Sequence, residues 1–327
     1  MRNALTLLLI SALTLGAPLA QGEGPADETR LTLRQELLRL INRDRAAHHL
    51  APVELDAEAS VTADRYCGRQ IRTGTTGHFS TDGESPYMRY SWAGGNDGVS
   101  ENAAAWSANY RFNDRALYEM VRRSEEAMMA EEPPHDGHRR TILDPYATHV
   151  GIGLAWEKGE FRIAEEFIRR YVNWSDPLPR NALLTEKVTG SAKTLRGYLV
   201  EAISVHHERT PETISPITAN LIDSYSLPSQ RRDYLPRLKS RFEHRSNGAI
   251  YEIREEYSDG RRGDFPLAAD GTFRFAVPFP DGPGIYTVVV WVRRPGETTP
   301  IAASNISIRV TGTPHGGYVS ASAIGSK

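Results

Sequence analysis

A histidine, a glutamate and a second histidine, each inside a short polar signature, are the residues of this chain best suited to chemistry. His78 lies in Gly77-His78-Phe79-Ser80, Glu101 in Ser100-Glu101-Asn102-Ala103, and His138 in Gly137-His138-Arg139-Arg140-Thr141-Ile142-Leu143. Neutral imidazoles and carboxylates are the donors a zinc-like cation prefers. The same groups serve as general acid and base. Spacing alone does not bring them together, since scattered His and Glu mostly occupy solvated faces. Nearby residues have plainer readings. His135, three residues before His138, reads as an exposed loop residue before it reads as a second ligand. Arg139 and Arg140 brace carboxylates or face solvent, and His48 and His49 suit the carbonyls at a helix end. Ser80 or Ser100 could pair with a histidine as nucleophile. The sequence, however, contains no Gly-x-Ser-x-Gly elbow and no His-Glu-x-x-His helix.

The elements around these residues follow from periodicity. Leu33, Leu37, Leu40 and Ile41 recur at helical spacing, and Pro52 closes that helix by disfavouring helical geometry in the residue before it. Asp56 is an N-cap for a second helix through Ala63 and Cys67 to about Arg72, stopped by Gly74 and Gly77. The stretch 77–98 reads as an ordered loop with aromatics, where Trp92, like Trp106 and Tyr110 beyond it, suits a core before a cleft. Arg115 to Met129 has helical composition and ends before Pro133-Pro134. Residues 150–155 and 161–164 read as two strands joined by a hairpin turn around Gly159. Helices followed by short strands predict an α/β layered domain over 31–174 rather than a parallel sheet.

Beyond Trp174 the period changes. Residues 175–190, opening on Ser175-Asp176-Pro177-Leu178-Pro179, read as a linker. Over 191–312, Phe273, Phe275 and Val277 alternate with polar or small residues, as do Ile306, Ile308 and Val310; Tyr286 to Val292 is a nearly continuous β-branched and aromatic run. Turns at Asp270-Gly271 and Asp281-Gly282, with weaker strands near 199–205 and 249–257, predict an Ig-like β-sandwich. The basic, poorly patterned stretch 214–247 reads as solvated loops, and 313–327 as a disordered Gly/Ser-rich tail.

The 327-residue length suits two domains, and a formal net charge of −2 gives no field that calls for nucleic acid. Residues 1–22 read as a signal peptide: Arg2 precedes an apolar run from Leu5 to Leu15 too short to span a bilayer. Cleavage fits Ala20-Gln21-Gly22 better than Pro18-Leu19-Ala20, and 23–30 reads as a flexible leader. The expected product is secreted, extracellular or periplasmic, with no membrane span. Cys67 is the single cysteine, so no internal disulfide can form; it reads as a small buried hydrophobe rather than a catalytic thiol. Arg262-Gly263-Asp264 reads as a plain loop tripeptide, and the glycosylation-type triplets at Asn173 and Asn305 are common by chance.

Taken in order, Asn42-Arg43-Asp44-Arg45, the His78 segment, Ser100-Glu101-Asn102-Ala103-Ala104, the His138 segment and Val150-Gly151-Ile152-Gly153 resemble the CAP superfamily, also called SCP-like, in its secreted bacterial form. The resemblance covers about 33–171. It implies an α-β-α sandwich with a central cleft, where two His and two Glu hold Zn2+ or another divalent cation. Carried over, His78, Glu101 and His138 match three members. The fourth is open among Glu125, Glu126, Glu131 and Glu132; helical geometry favours the first two, and Glu126 is taken for the set. His78 stands before Phe79-Ser80 where the family places its histidine after such a pair. The function implied is a secreted binding protein whose cleft takes an extracellular ligand, be it a small molecule, a lipid or a cell-wall component. The alternative is a metal-assisted or Glu/His-dependent extracellular hydrolase acting on peptide, ester or cell-wall substrates. The balance leans away from an enzyme.

Overall fold

A computed structural model describes residues 25–312; the signal peptide expected over 1–22 and the tail over 313–327 lie outside the described residues. Part of the leader is helical, because α1 runs Pro25–Ala47 and carries Asp27 and Glu28 in its first turn, where they offset the helix dipole. Leu33, Leu37, Leu40 and Ile41 are its buried stripe, each no more than 2% exposed. The N-terminal half continues with β1 (Glu54–Leu55), α2 (Ala57–Thr73), α3 (Pro86–Trp92), β2 (Gly98–Ser107), α4 (Asp114–Met129), α5 (Gly137–Ile142), β3 (His149–Glu157) and β4 (Glu160–Arg169). Asp56 caps α2 through a bond from the Ala59 amide, and Asn113 caps α4 in the same way.

The strands form a sheet in the order β1-β3-β4-β2, with β3, β4 and β2 antiparallel and β1 parallel to β3. One face packs on α1 and α4 through Val150, Ile152, Leu154, Phe161, Ile163 and Phe167. The other lies on α2, where Ala63, Tyr66 and Cys67 meet Ala164. Gly151 and Gly153 explain how closely α2 approaches: a Cβ at either would sit 2.4 Å from Ala59 Cβ or 2.3 Å from the Ala63 carbonyl carbon. A helix layer, a sheet and a helix layer result. Arg45 is fully buried and ties the end of α1 to the carbonyls of Ala51, Ile142 and Asp144 at 2.9, 2.7 and 2.9 Å. The Asn42–Arg45 signature is thereby a brace for α5, the helix that carries His138.

The C-terminal half comprises β5 (Val172–Asp176), β6 (Asn181–Leu183), β7 (Val188–Thr194), β8 (Leu199–Glu208), α6 (Pro216–Asn220), β9 (Arg231–Tyr234), β10 (Arg241–His244), β11 (Ile250–Ile253), β12 (Thr272–Val277), β13 (Gly284–Arg293) and β14 (Ile301–Thr311). A three-stranded sheet β12-β7-β5 and a five-stranded sheet β6-β14-β13-β8-β9 share one core that includes Phe273, Phe275, Tyr286, Val288, Ile306 and Ile308. Strand β13 is apolar nearly throughout because both its faces are covered. Val288 and Val290 face that core, while Ile285 joins Tyr87, Met88, Tyr90, Val99 and Ile168 in a cluster shared with the N-terminal half.

The two halves therefore meet on packed surface. Gly98 makes this possible, since a Cβ there would lie 1.9 Å from the Ala302 carbonyl oxygen. Asn305 Oδ1 accepts the Val99 amide at 2.8 Å, and Ser91 Oγ accepts the Ser307 amide at 2.8 Å. Two expectations are corrected. The stretch 175–190 contains the end of β5 and all of β6, which pairs in parallel with β14. The stretch 214–247 is not a set of solvated loops: it holds α6, β9 and β10, and its first part lies across the N-terminal half.

Candidate functional site

Strand β2 is an edge strand, and its alternating side chains serve both faces of the sheet. Glu101 points toward α2 and α3, and Asn102 toward α4. Glu101 is 3% exposed and fully engaged: one oxygen lies 3.0 Å from His78 Nδ1 and the other accepts Arg89 Nη2 at 2.6 Å. Arg89 comes from α3, donates to the carbonyls of His78 and Glu84 at 2.9 and 2.8 Å, and lies 3.5 Å over the Tyr66 ring. Helix α3 thus fixes the backbone of His78 and the carboxylate that holds its ring. A carboxylate oxygen accepts here when His78 Nδ1 carries the proton, and in that tautomer of the neutral ring Nε2 is the acceptor.

His138 is held by different means. It stands in the first turn of α5, where Glu131 accepts its amide at 2.9 Å and faces its ring Nδ1 at 2.5 Å. Asn102 Nδ2 donates to the His138 carbonyl at 3.1 Å. The two imidazole centroids are 6.2 Å apart. The structure therefore contains two His–carboxylate dyads side by side at one sheet edge, each with Nδ1 occupied and Nε2 free of its carboxylate.

Glu126 is not in this set. It is exposed on α4, 3.7 Å from Arg122, a pair separated by one helical turn. Helix α4 ends at Met129, so Glu131 belongs to the connector to α5, where its side chain can turn back to cap that helix. The helical argument for Glu126 fails because the partner of His138 lies past the helix. Glu125 is buried among the α4 contacts, and neither of its oxygens has a hydrogen-bond partner among the described residues. Burial, then the nearby Glu165, pushes its carboxyl up to about 10. Burial likewise raises Glu165 to about 7, opposed by the bond from Asn102, and Glu166 to about 8, with Glu101 adding to the rise.

The remaining candidates scatter. Ser80 is fully buried with its hydroxyl unpartnered, and Ser100 Oγ accepts Arg169 Nη2 at 3.0 Å, so neither faces an imidazole. His48 Nδ1 lies 2.8 Å from the Asp44 carbonyl, in keeping with a helix-end role. Cys67 is fully buried, and burial drives its thiol pKa well above the ordinary range.

A cation ligated directly by Glu101 does not fit this donor set, because both oxygens are committed and a guanidinium lies against one. Among the described residues, no group of three or more His, Cys, Asp or Glu side chains is arranged to hold an ion. What the donor set leaves is the two Nε2 atoms, neither of which is bonded to its carboxylate. In metal sites a histidine commonly gives its other ring N–H to a carboxylate, which fixes tautomer and orientation.

The C-terminal half closes the site from above. The segment between β8 and β9 crosses the N-terminal half: Ile214 donates to the Thr81 carbonyl at 2.9 Å, and Asn220 Oδ1 accepts the Thr76 amide at 2.7 Å. Tyr225 ends this strap. Its hydroxyl accepts the Glu101 amide at 2.5 Å, and its ring meets His78 edge-on at 4.8 Å. Nothing in the local sequence marks Tyr225, which lies 124 residues from Glu101. Arg89 was equally silent, in a helix whose aromatics suggested core.

A three-layer α/β domain with paired His–carboxylate dyads at its edge strand defines the class of the N-terminal half. Residues 38–162 match the model of the Cysteine-rich secretory protein family, CAP. No curated protein matches the sequence. Among solved structures, the chain is similar to an extracellular protein containing a SCP domain from Bacillus anthracis, at 19% identity and a TM-score of 0.32, over 47% of this chain and 45% of that one. It is also similar to murine CRIg, at 13% identity and a TM-score of 0.21, over 43% of this chain and 98% of that one. Neither superposes closely enough to inform the site. Among the described residues, no helix is long and apolar enough to cross a membrane.

Proposed function

We propose that this CAP domain binds a polar extracellular ligand between His78 and His138, with a divalent cation such as Zn2+ as its simplest occupant. The observation that carries this reading is that each imidazole has Nδ1 tied to a carboxylate while the rings stand 6.2 Å apart. The cation would be held by His78 and His138, with Glu101 and Glu131 behind them fixing the orientation of their rings, and would supply a Lewis-acidic point for an oxygen of a small molecule, lipid headgroup or cell-wall component. Tyr225 sets how far that ligand can enter. The signal-like residues 1–22 and the family both favour action outside the cytoplasm. The C-terminal half, read as an Ig-like sandwich over 191–312, provides the strap and a second surface.

A hydrolytic reading draws on the His138–Glu131 dyad, which is about one-third exposed and poised as a general base. It would use water, since Ser80 and Ser100 are otherwise placed. Zinc titration by calorimetry separates the readings. Binding is expected in the wild type, is lost in His78→Ala and in His138→Ala, and persists in Glu126→Ala. Absence of zinc binding, or binding indifferent to both histidines, contradicts the proposal. Turnover of an ester, peptide or peptidoglycan that disappears in His138→Ala would move the conclusion to hydrolysis.

A further inference from the structure

A groove of about 410 Å³ runs between α2, α3 and the C-terminal half. Five guanidiniums line it, those of Arg65, Arg69, Arg89, Arg180 and Arg309, against the single carboxylate of Glu84. Their partners decide how much charge is left. Arg89 is matched by Glu101 at 2.6 Å. Arg69 pairs closely with Asp82, and it shares Glu84 with Arg309 at 3.8 and 3.9 Å. Arg180 bonds neutral groups: the carbonyls of Ser91, Leu178 and Gly95 at 2.6, 2.7 and 2.8 Å and Asn96 Oδ1 at 2.7 Å. Arg65 is exposed on α2 and has no ion-pair partner among the described residues. Two guanidiniums on one groove are therefore without a counter-charge.

The groove also has a floor suited to a ring. Arg309 stacks over Trp92 at 4.4 Å, and Trp92 and Tyr66 both line the wall. Stacking fixes the planar fork of Arg309, which lowers the entropy lost when it takes a two-oxygen anion. Arg180 is held by five bonds, one of them to the Gly94 carbonyl at 3.3 Å, and Arg89 by three, so much of the positive wall is preorganised.

We propose that this groove is a binding site for a small anionic ligand, a carboxylate or phosphate carried on a sugar-sized ring. Its charge is read by Arg65, Arg180 and Arg309, and its ring lies beside Trp92. The site is distinct from the dyads, since none of His78, Glu101, Glu131 and His138 lines it, and it does not depend on a cation there. Because residues of both halves line it, a ligand bound there also holds the two halves together.

Titration of the full chain with glucuronate, glucose 6-phosphate and glucose, followed by tryptophan fluorescence and calorimetry at low and at 0.5 M salt, examines the proposal. At least one of the two anions is expected to bind, with glucose at least tenfold weaker and with affinity falling as salt rises. Glucuronate alone would identify an acidic sugar as the source of the charge, and glucose 6-phosphate alone a phosphate ester. Arg65→Glu, on an exposed helix position, should weaken anion binding at least tenfold without moving the thermal midpoint; Arg309→Gln should weaken it severalfold; His78→Ala should leave it intact. Failure of both anions to bind, equal binding of glucose, or binding unchanged in both Arg65→Glu and Arg309→Gln would overturn it.

Discussion

The two dyads use the same pair of residue types under opposite physical conditions. His78–Glu101 is sealed: the carboxylate has no side-chain exposure, a buried guanidinium on its second oxygen, and a tyrosine from the other half on its backbone. His138–Glu131 is open, at 32% and 23% side-chain exposure, and rests on a six-residue helix. The first is rigid because both oxygens of its buried carboxylate are paired, one with an imidazole and one with a guanidinium, and breaking either bond strands a buried group. The second can be rearranged at low cost, since water competes for each of its bonds. A site built this way has one fixed wall and one adjustable wall.

Removing Glu101 should have the largest effect, because Glu101→Gln leaves the buried Arg89 charge without its partner. A loss of about 3–5 kcal/mol is expected in urea denaturation. The matching change Glu131→Gln should cost about 1 kcal/mol or less, as for a half-exposed pair. Equal costs for the two would erase the distinction between a fixed and an adjustable wall.

The buried acids sharpen the contrast from beneath. Glu125, Glu165 and Glu166 hold their protons longer folded than unfolded, since burial raises them from 4.5 to about 10, 7 and 8. The native state then binds more protons, so their contribution is fully present below the unfolded pKa and is lost as pH rises through the folded values. Stability should fall between about pH 5 and pH 8. Glu125→Gln should flatten that slope and stabilise the protein at pH 8, because the folded state then no longer has to hold a proton that the unfolded chain releases. Stability that rises steadily over this range would contradict the assignment. A smaller effect is expected for Tyr225→Phe, which strands the Glu101 amide at a cost of about 1 kcal/mol. In that variant the His78 ring signals should broaden or shift in NMR spectra while those of His138 stay in place.

These contrasts also show what could be read from the residues alone. His78, Glu101 and His138 were legible because each sits in a contiguous signature whose neighbours serve it: Asn102 follows Glu101 to hold the His138 carbonyl, and Gly151 and Gly153 seat α2. The C-terminal strands β12 and β14 were legible from period-two alternation, and β13 from a run that only a strand covered on both faces sustains. Arg89 and Tyr225 were not, since their roles depend on contacts that no local pattern encodes. Glu131 was within view but lost to Glu126 through the assumption that the partner had to lie inside a helix. The strap over 214–228 was misjudged because, of its apolar residues, Tyr225 and Leu227 pack on the other half of the molecule while Ile217 and Leu221 stay exposed, and a short, weakly patterned segment gives no sign of that.

The central claim is that both carboxylates hold their histidines by Nδ1 and leave the two Nε2 atoms as acceptors facing one shared ligand. Long-range 15N–1H correlation spectra of the imidazoles at neutral pH measure this directly. The account predicts the Nδ1–H tautomer for His78 and for His138, with both Nε2 resonances moving together when Zn2+ is added and neither moving when the other histidine is replaced by alanine. An Nε2–H tautomer at either residue, or a zinc response at one histidine that survives loss of the other, would contradict it.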